Sequence, residues 1–310
     1  MDTIRALVAD RAAPGHLSIQ DVPAPVPHAD EVLVAVEAVS LNRGEVTRLQ
    51  AAEPGWRPGW DLAGIVVRSA ADRSGPPAGT RVVGLADGGA WAEQVAVATD
   101  RLAQLPDAVS FAAAATLPVA GLTALRTLEL ADRLDDQSVL ITGASGGVGR
   151  FAVQLAAHYG ADVTALVSSD GRGRPLLELG AARFAVGPPG DGPFDLILES
   201  IGGPTLAHAL TSVAAGGLIV SYGNSSRQPT TFDPSSFYRR AGAQLHAFVV
   251  FADLERNGSG SWDLGRLVAM VQEGHLDVGI DREESWRDAA SVVEAFVQRQ
   301  VTGKAVLLID

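Results

Sequence analysis

The chain has 310 residues but no cysteine, and only one of its 24 basic residues is a lysine, Lys304. Without cysteine there can be no disulfide and no thiolate-ligated zinc. The scarcity of lysine reads as a genomic preference for arginine. Positive charge is also in short supply: the net charge is −12, which argues against nucleic acid or an anionic membrane surface as a partner. Long apolar runs are missing too. The most apolar tract, Phe111 to Leu125, is too short to span a bilayer and contains Pro118. Met1 to Ala9 carries an acid and lacks the apolar core of a leader. A cytoplasmic protein is therefore expected. The six histidines, His16, His28, His158, His208, His246 and His275, stand in no short ligand spacing.

What is present is an ordinary globular composition, 47% apolar and 19% charged. The length suits two domains. The centre carries the most informative stretch, ITGASGGVGRFAVQLA, from Ile141 to Ala156. Val139, Leu140 and Ile141 form an apolar run that predicts a strand. Val148, Phe151, Ala152, Leu155, Ala156 and Tyr159 recur at helical spacing. Gly143, Gly146, Gly147 and Gly149 lie between the two, the context of a dinucleotide loop. Glycine there permits positive φ and close approach to a pyrophosphate, and the helix start offers free N–H groups. Ser145, Gly146, Gly147 and Val148 are the candidate phosphate contacts. The spacing is G-x-x-G-x-x-G, with Ser145 where the stricter motif carries its second glycine, so a turn that only packs helix on strand is the alternative.

The rest of the chain has a consistent rhythm. Ile4–Ala9, His16–Asp21 and Glu31–Ser40 read as strands separated by Pro/Gly-rich turns. Further strands are expected at 138–142, 162–167, 183–186, 194–199, 217–222 and 244–251, with helices at 147–159, 173–179 and 204–213. That alternation predicts a doubly wound parallel sheet in an α/β protein. The tail reads as two helices, Trp262–Glu273 and Arg287–Gln300, then a strand, Lys304–Ile309. A lone late strand needs a sheet to join. The expected division is a β-rich domain at 1–120, a nucleotide-binding domain at 121–255, and a segment at 256–310 that returns to the first.

Cofactor choice is set where the second central strand ends. An NAD site places an acid there. Here Ser168 and Ser169 stand at the strand end, with Arg172 and Arg174 beyond. Hydroxyls and a guanidinium suit a ribose 2′-phosphate, so NADPH is expected over NADH. Asp170 would serve NAD if the strand ran further, and two solvated surface arginines are the plainer alternative.

Seven stretches, in order along the chain, resemble the medium-chain dehydrogenase/reductases of the zinc-independent, quinone oxidoreductase-like branch. They are AVSLNRGEV, PGWDLAGIVV, GTRVVGLADGGAWAEQVAV, LPVAGLTAL, GASGGVGRFAVQLA, FDLILESIGG and TGKAVLL. The resemblance implies a GroES-like β-rich catalytic domain, a Rossmann domain and a cleft between them. It also implies NADPH-dependent reduction of quinones or activated double bonds, as in enoyl reductases, and it allows a homodimer through the Rossmann sheet edge. The short-chain dehydrogenases share the glycine motif but need Tyr-x-x-x-Lys, and Gln300 stands four places before Lys304.

The same resemblance places Asn42 where zinc-using relatives carry a ligating cysteine, and Gly59-Trp60-Asp61 where they carry Gly-His-Glu. Neither Asn nor Trp is a usual zinc ligand, so a metal-free enzyme is expected. Without a Lewis acid, hydride transfer suits an acceptor that already delocalises charge. Asn42 reads either as a turn or helix cap or, by resemblance, as a residue near the nicotinamide. Glu45 reads either as an exposed helix-face acid or as a proton donor. Arg43 reads as another exposed helix residue, and Trp60 as core packing or a substrate contact. No tyrosine precedes Tyr159, so the tyrosine donor of some relatives is absent and solvent protonation is expected. By resemblance Thr123, Tyr222, Asn224, Phe248 and Val250 belong to the cofactor cleft, and Lys304 lies near the cofactor phosphates. The competing functional class is a protein that holds NADPH as a sensor or structural partner without turnover.

Overall fold

Six parallel strands carry the central third of the chain in the computed structural model, which describes residues 2–187 and 192–310. In spatial order they are Arg183–Val186, Asp162–Val167, Ser138–Thr142, Phe194–Glu199, Val213–Ser221 and Gln244–Ala247. In chain order this is 3-2-1-4-5-6, the doubly wound arrangement whose strand order reverses between the first and fourth strands. Val139, Leu140 and Ile141 are buried, as expected of a central parallel strand covered on both faces. Helices Gly147–His158, Asp170–Glu178 and Gly203–Ser212 supply the crossovers.

Two boundaries depart from the sequence expectation. The strand expected over 244–251 ends at Ala247, and Val250–Asn257 is a helix. The apolar run through Val249 and Val250 suggested strand, but Val250 and Leu254, four apart, are the residues this helix buries. The strand expected at 217–222 begins earlier, at Val213, and ends at Ser221. In addition, the helix expected at 173–179 starts at Asp170, with Ser169 as its N-cap.

The chain divides into two compact units, Met1–Leu122 with Asn257–Asp310, and Thr123–Arg256. The first is built on a sheet in the order Ile280–Ser285, Lys304–Leu308, Glu31–Ser40, Asp61–Arg68, Arg81–Leu85 and Leu102–Gln104. Gln94–Ala98 adds to Glu31–Ser40, while Thr3–Ala9 and Leu17–Pro23 form a separate hairpin. Glu31–Ser40 is the axis. Its Val32, Val34 and Val36 alternate into the core, and it pairs antiparallel with both Asp61–Arg68 and the late strand, matching Ser40 to Asp61 and to Val306. Trp91, Trp286, Leu62, Val292 and Leu307 fill the core behind it. The register puts Ser40, Asp61 and Lys304 at one end of this sheet, where Leu41 and Asn42 lead into the helix Arg43–Leu49.

Candidate functional site

The polar residues at that end of the first unit are sealed from solvent. Asn42 caps the helix Arg43–Leu49. Its Nδ2 donates to Asp61 Oδ2 at 2.8 Å, and its Oδ1 accepts from Lys304 Nζ at 2.8 Å. The ammonium also reaches the Leu41 carbonyl at 3.2 Å and Asp61 Oδ2 at 3.4 Å. Asp61 accepts further from Ser40 Oγ at 3.2 Å and from the Val119 backbone N–H at 2.8 Å. Lys304 is 2% exposed and Asp61 and Glu45 are fully buried.

Glu45 corrects the expectation of an exposed helix-face acid. It is the third residue of its helix and turns back, so Oε2 accepts the Asn42 N–H at 2.7 Å and Oε1 the Trp60 N–H at 2.6 Å. It therefore ties the helix start to the segment entering Asp61–Arg68. Burial pushes its carboxyl up to about 8, and the Asp61 charge adds to this. The Asn42 N–H, the Lys304 charge and the Trp60 N–H pull the other way. Burial also raises Asp61, against the Lys304 charge and the hydrogen bonds from Asn42 and Val119. Two acids face one ammonium here, and burial pushes both carboxyls toward their neutral forms. Trp60 is half-buried and lies against Gly44, where a Cβ would fall 2.8 Å from the ring. Arg43 is exposed, with its guanidinium 5.6 Å from the Phe296 ring centroid.

The structure also corrects Lys304. An ammonium has three N–H donors, and all three face acceptors of its own unit, so none is left for a cofactor phosphate.

In the second unit the glycines divide the labour. Gly143 has φ +61°, and a Cβ there would sit 2.7 Å from Ser200 Oγ. At Gly149 a Cβ would meet the Gly143 carbonyl at 2.5 Å and Ala144 Cα at 2.6 Å, so helix and turn pack backbone to backbone. At Gly146 it would meet only the Gly143 carbonyl, at 3.3 Å. Gly146 is the N-cap of Gly147–His158, so the N–H groups of Gly147 and Val148 belong to the helix start, which lacks intrahelical acceptors. A closely approaching anion fits such a cradle.

The other candidates of this unit follow strand carboxyl ends, apart from Thr123, which is buried within the helix Pro118–Leu128. Ser145 is buried in the glycine turn. Ser168 and Ser169 are exposed after Asp162–Val167, with Arg172 half-buried and Arg174 exposed on the next helix. The strand has ended three residues before Asp170, which opens that helix. Tyr222 and Asn224 follow Val213–Ser221. Phe248 and Val250 are buried beyond Gln244–Ala247. Burial raises the Tyr222 hydroxyl above its usual range.

Asp61 and Glu199 were not singled out from the sequence. Glu199 accepts from the N–H groups of Ile201 at 2.8 Å and Gly202 at 2.9 Å, and burial raises its carboxyl. Ser200 N–H donates to Thr142 Oγ1 at 2.9 Å, so the first and fourth strands are cross-tied where the strand order reverses. An acid closing the apolar run FDLILE was the available signal. For Asp61 and Glu45 the signals were the acid after Trp60 and the Asn-x-x-Glu spacing of a capping box.

Two family models match the chain, the Alcohol dehydrogenase GroES-like domain over residues 28–107 and Zinc-binding dehydrogenase over residues 177–307. A spectinabilin polyketide synthase system protein of Streptomyces orinoci is 34% identical over 96% of this chain, which spans only 14% of that relative. The chain likewise spans about half the length of a chloroplast envelope quinone oxidoreductase homolog of Arabidopsis thaliana, 39% identical over 46% of this chain and 49% of that protein. Among solved structures, the quinone oxidoreductase of Coxiella burnetii superposes with a TM-score of 0.83 at 25% identity, covering both chains completely. The Escherichia coli quinone oxidoreductase complexed with NADPH gives 0.85 at 22% identity over 98% of this chain and 100% of that one. The fold is α/β, a Rossmann sheet with a GroES-like unit. The chain belongs to the medium-chain dehydrogenase/reductase superfamily, in its zinc-independent quinone oxidoreductase-like branch. No helix among the described residues is long and apolar enough to cross a membrane.

Proposed function

We propose that the chain is an NADPH-dependent, metal-independent reductase that passes a hydride to a quinone or an α,β-unsaturated carbonyl. The observation that carries this reading is the ammonium of Lys304, 2.8 Å from the side chain of Asn42. A fixed positive charge there repels a divalent cation, and Asn42 and Trp60 are poor ligands in any case. With no Lewis acid to polarise an isolated ketone, the acceptor must already delocalise charge. Quinones and enones do so, giving a stabilised hydroquinone anion or enolate.

The cofactor supplies the hydride when bound. The glycine turn and the N–H groups of Gly147 and Val148 suit its pyrophosphate. Ser168, Ser169, Arg172 and Arg174, with no acid at the strand end, favour a 2′-phosphate over a free ribose. Asn42 orients the reacting groups. Thr123, Tyr222, Asn224, Phe248 and Val250 complete the proposed cofactor contacts. Glu45 is fully buried and turned back onto the Asn42 and Trp60 backbone, so solvent rather than this acid supplies the proton.

The test is purified protein with NADPH and three acceptors of similar size, a quinone, an enone and a saturated ketone, followed by nicotinamide absorbance. Oxidation with the first two and none with the third is expected. A saturated ketone as best acceptor refutes the metal-free argument. Tight NADPH binding with no turnover on any acceptor makes the protein a sensor instead.

A further inference from the structure

The three donors of Lys304 are used within its own unit, so whatever it contributes acts through the groups it holds. Chief among these is Asn42. The oxygen and nitrogen ends of a carboxamide are nearly the same size, so packing alone does not choose between its two orientations. Charge does. Lys304 offers only donors to one end, and the Asp61 carboxylate offers only acceptors to the other. A reversed amide would set N–H against ammonium and oxygen against carboxylate, two repulsive contacts in a buried setting where electrostatics are strong.

Asn42 has two N–H donors and two lone pairs. Asp61 takes one N–H, while Lys304 and the backbone N–H of Glu45 take the oxygen, which leaves a second N–H whose direction these contacts fix, the two charges most strongly. We propose that Lys304 is a positioning residue which, with Asp61, locks the Asn42 amide in one polarity, so that its remaining N–H is a fixed donor to the carbonyl oxygen that gains charge during hydride transfer. This rests on the reductase reading above. It also accounts for a lysine at this position in a chain that uses arginine at the other 23 of its 24 basic positions. Three converging acceptors suit a compact ammonium, whereas a guanidinium is a planar fork built for paired ones.

Lys304→Met alone strands the Asp61 carboxylate and threatens folding, so the main test is the double variant Lys304→Met/Asp61→Asn. It removes both charges, and the amide introduced at position 61 donates where the carboxylate accepted. Only the backbone N–H of Glu45, a neutral donor, then holds the Asn42 oxygen against reversal. The expected result is an NADPH dissociation constant within about twofold of wild type and a kcat lower by about a hundredfold, the scale of losing one donor to a developing oxyanion. Asn42→Ala should cost about the same in the wild-type background and nothing further in the double variant. A purely structural role for Lys304 would instead leave the two losses additive. Wild-type kcat in the double variant, or a full additional loss from Asn42→Ala, overturns the lock. If the wild-type chain reduces no acceptor, the reductase reading fails separately. Solvent exchange of the Asn42 side-chain N–H groups, followed by NMR, then decides the lock: slow in wild type and accelerated in the double variant supports it, and equal rates overturn it.

Discussion

The glycine turn of the second unit and the buried cluster of the first solve opposite problems. At the turn, side chains are absent so that backbone can meet backbone, and the working groups are peptide N–H groups. Every part lies within Gly143–Arg150, one short stretch of chain. In the cluster the working groups are side chains, brought together from Asn42, Asp61 and Lys304 across 262 residues of sequence. The turn fails when something is added. The cluster fails when something is removed.

The largest expected effect is on the cluster. Lys304→Met leaves Asp61 buried without its ammonium, a change that typically costs about 3–5 kcal/mol. Urea unfolding should show it as a large drop in midpoint, and a loss below 1 kcal/mol would mean the ion pair is not a structural necessity. At the turn, Gly149→Ala inserts a methyl 2.5 Å from the Gly143 carbonyl. Overpacking of this kind costs about 1–3 kcal/mol and should weaken NADPH binding as the turn yields. Gly146→Ala has only one tight contact, so it should cost less stability. Equal losses from the two would break the division of labour drawn above.

Next comes cofactor discrimination. Arg172→Ala should weaken NADPH by about 1.5–3 kcal/mol and leave NADH nearly unchanged, the range for hydrogen bonds to a charged group. Calorimetric titration with both cofactors measures the difference, and an equal loss for both would remove Arg172 from the 2′-phosphate.

The remaining effect is on pH dependence. Glu45 sits at about 8 in the fold against an ordinary 4.5, so the folded chain binds its proton more tightly than the unfolded chain. That stabilisation is complete below about pH 4.5 and is lost as pH rises through about 8. The melting temperature should therefore fall between pH 6 and 9. Glu45→Gln should flatten part of that slope while lowering stability throughout, because one of the two backbone N–H groups loses its acceptor. An unchanged slope would assign the pH dependence to other acids.

This contrast also explains what could be read in advance. The doubly wound sheet was legible because alternating apolar strands and periodic helices are local patterns, and the glycine turn because its spacing is local. The helix at Val250–Asn257 was missed at its start because an apolar run, taken alone, does not distinguish strand from helix. Glu45 looked exposed because its helix is short and polar, and only the fold reveals that it turns back onto Asn42 and Trp60. The partners of Lys304 were beyond reach for a different reason. Sequence spacing carries no signal for residues joined by the register of three strands.

The burial of Lys304 has a practical consequence. It offers a lysine-specific protease a single peptide bond within this chain, at the start of an interior strand paired on both sides. Cleavage there must wait for the sheet to open, so the rate of appearance of one short fragment would count openings of the first unit alone.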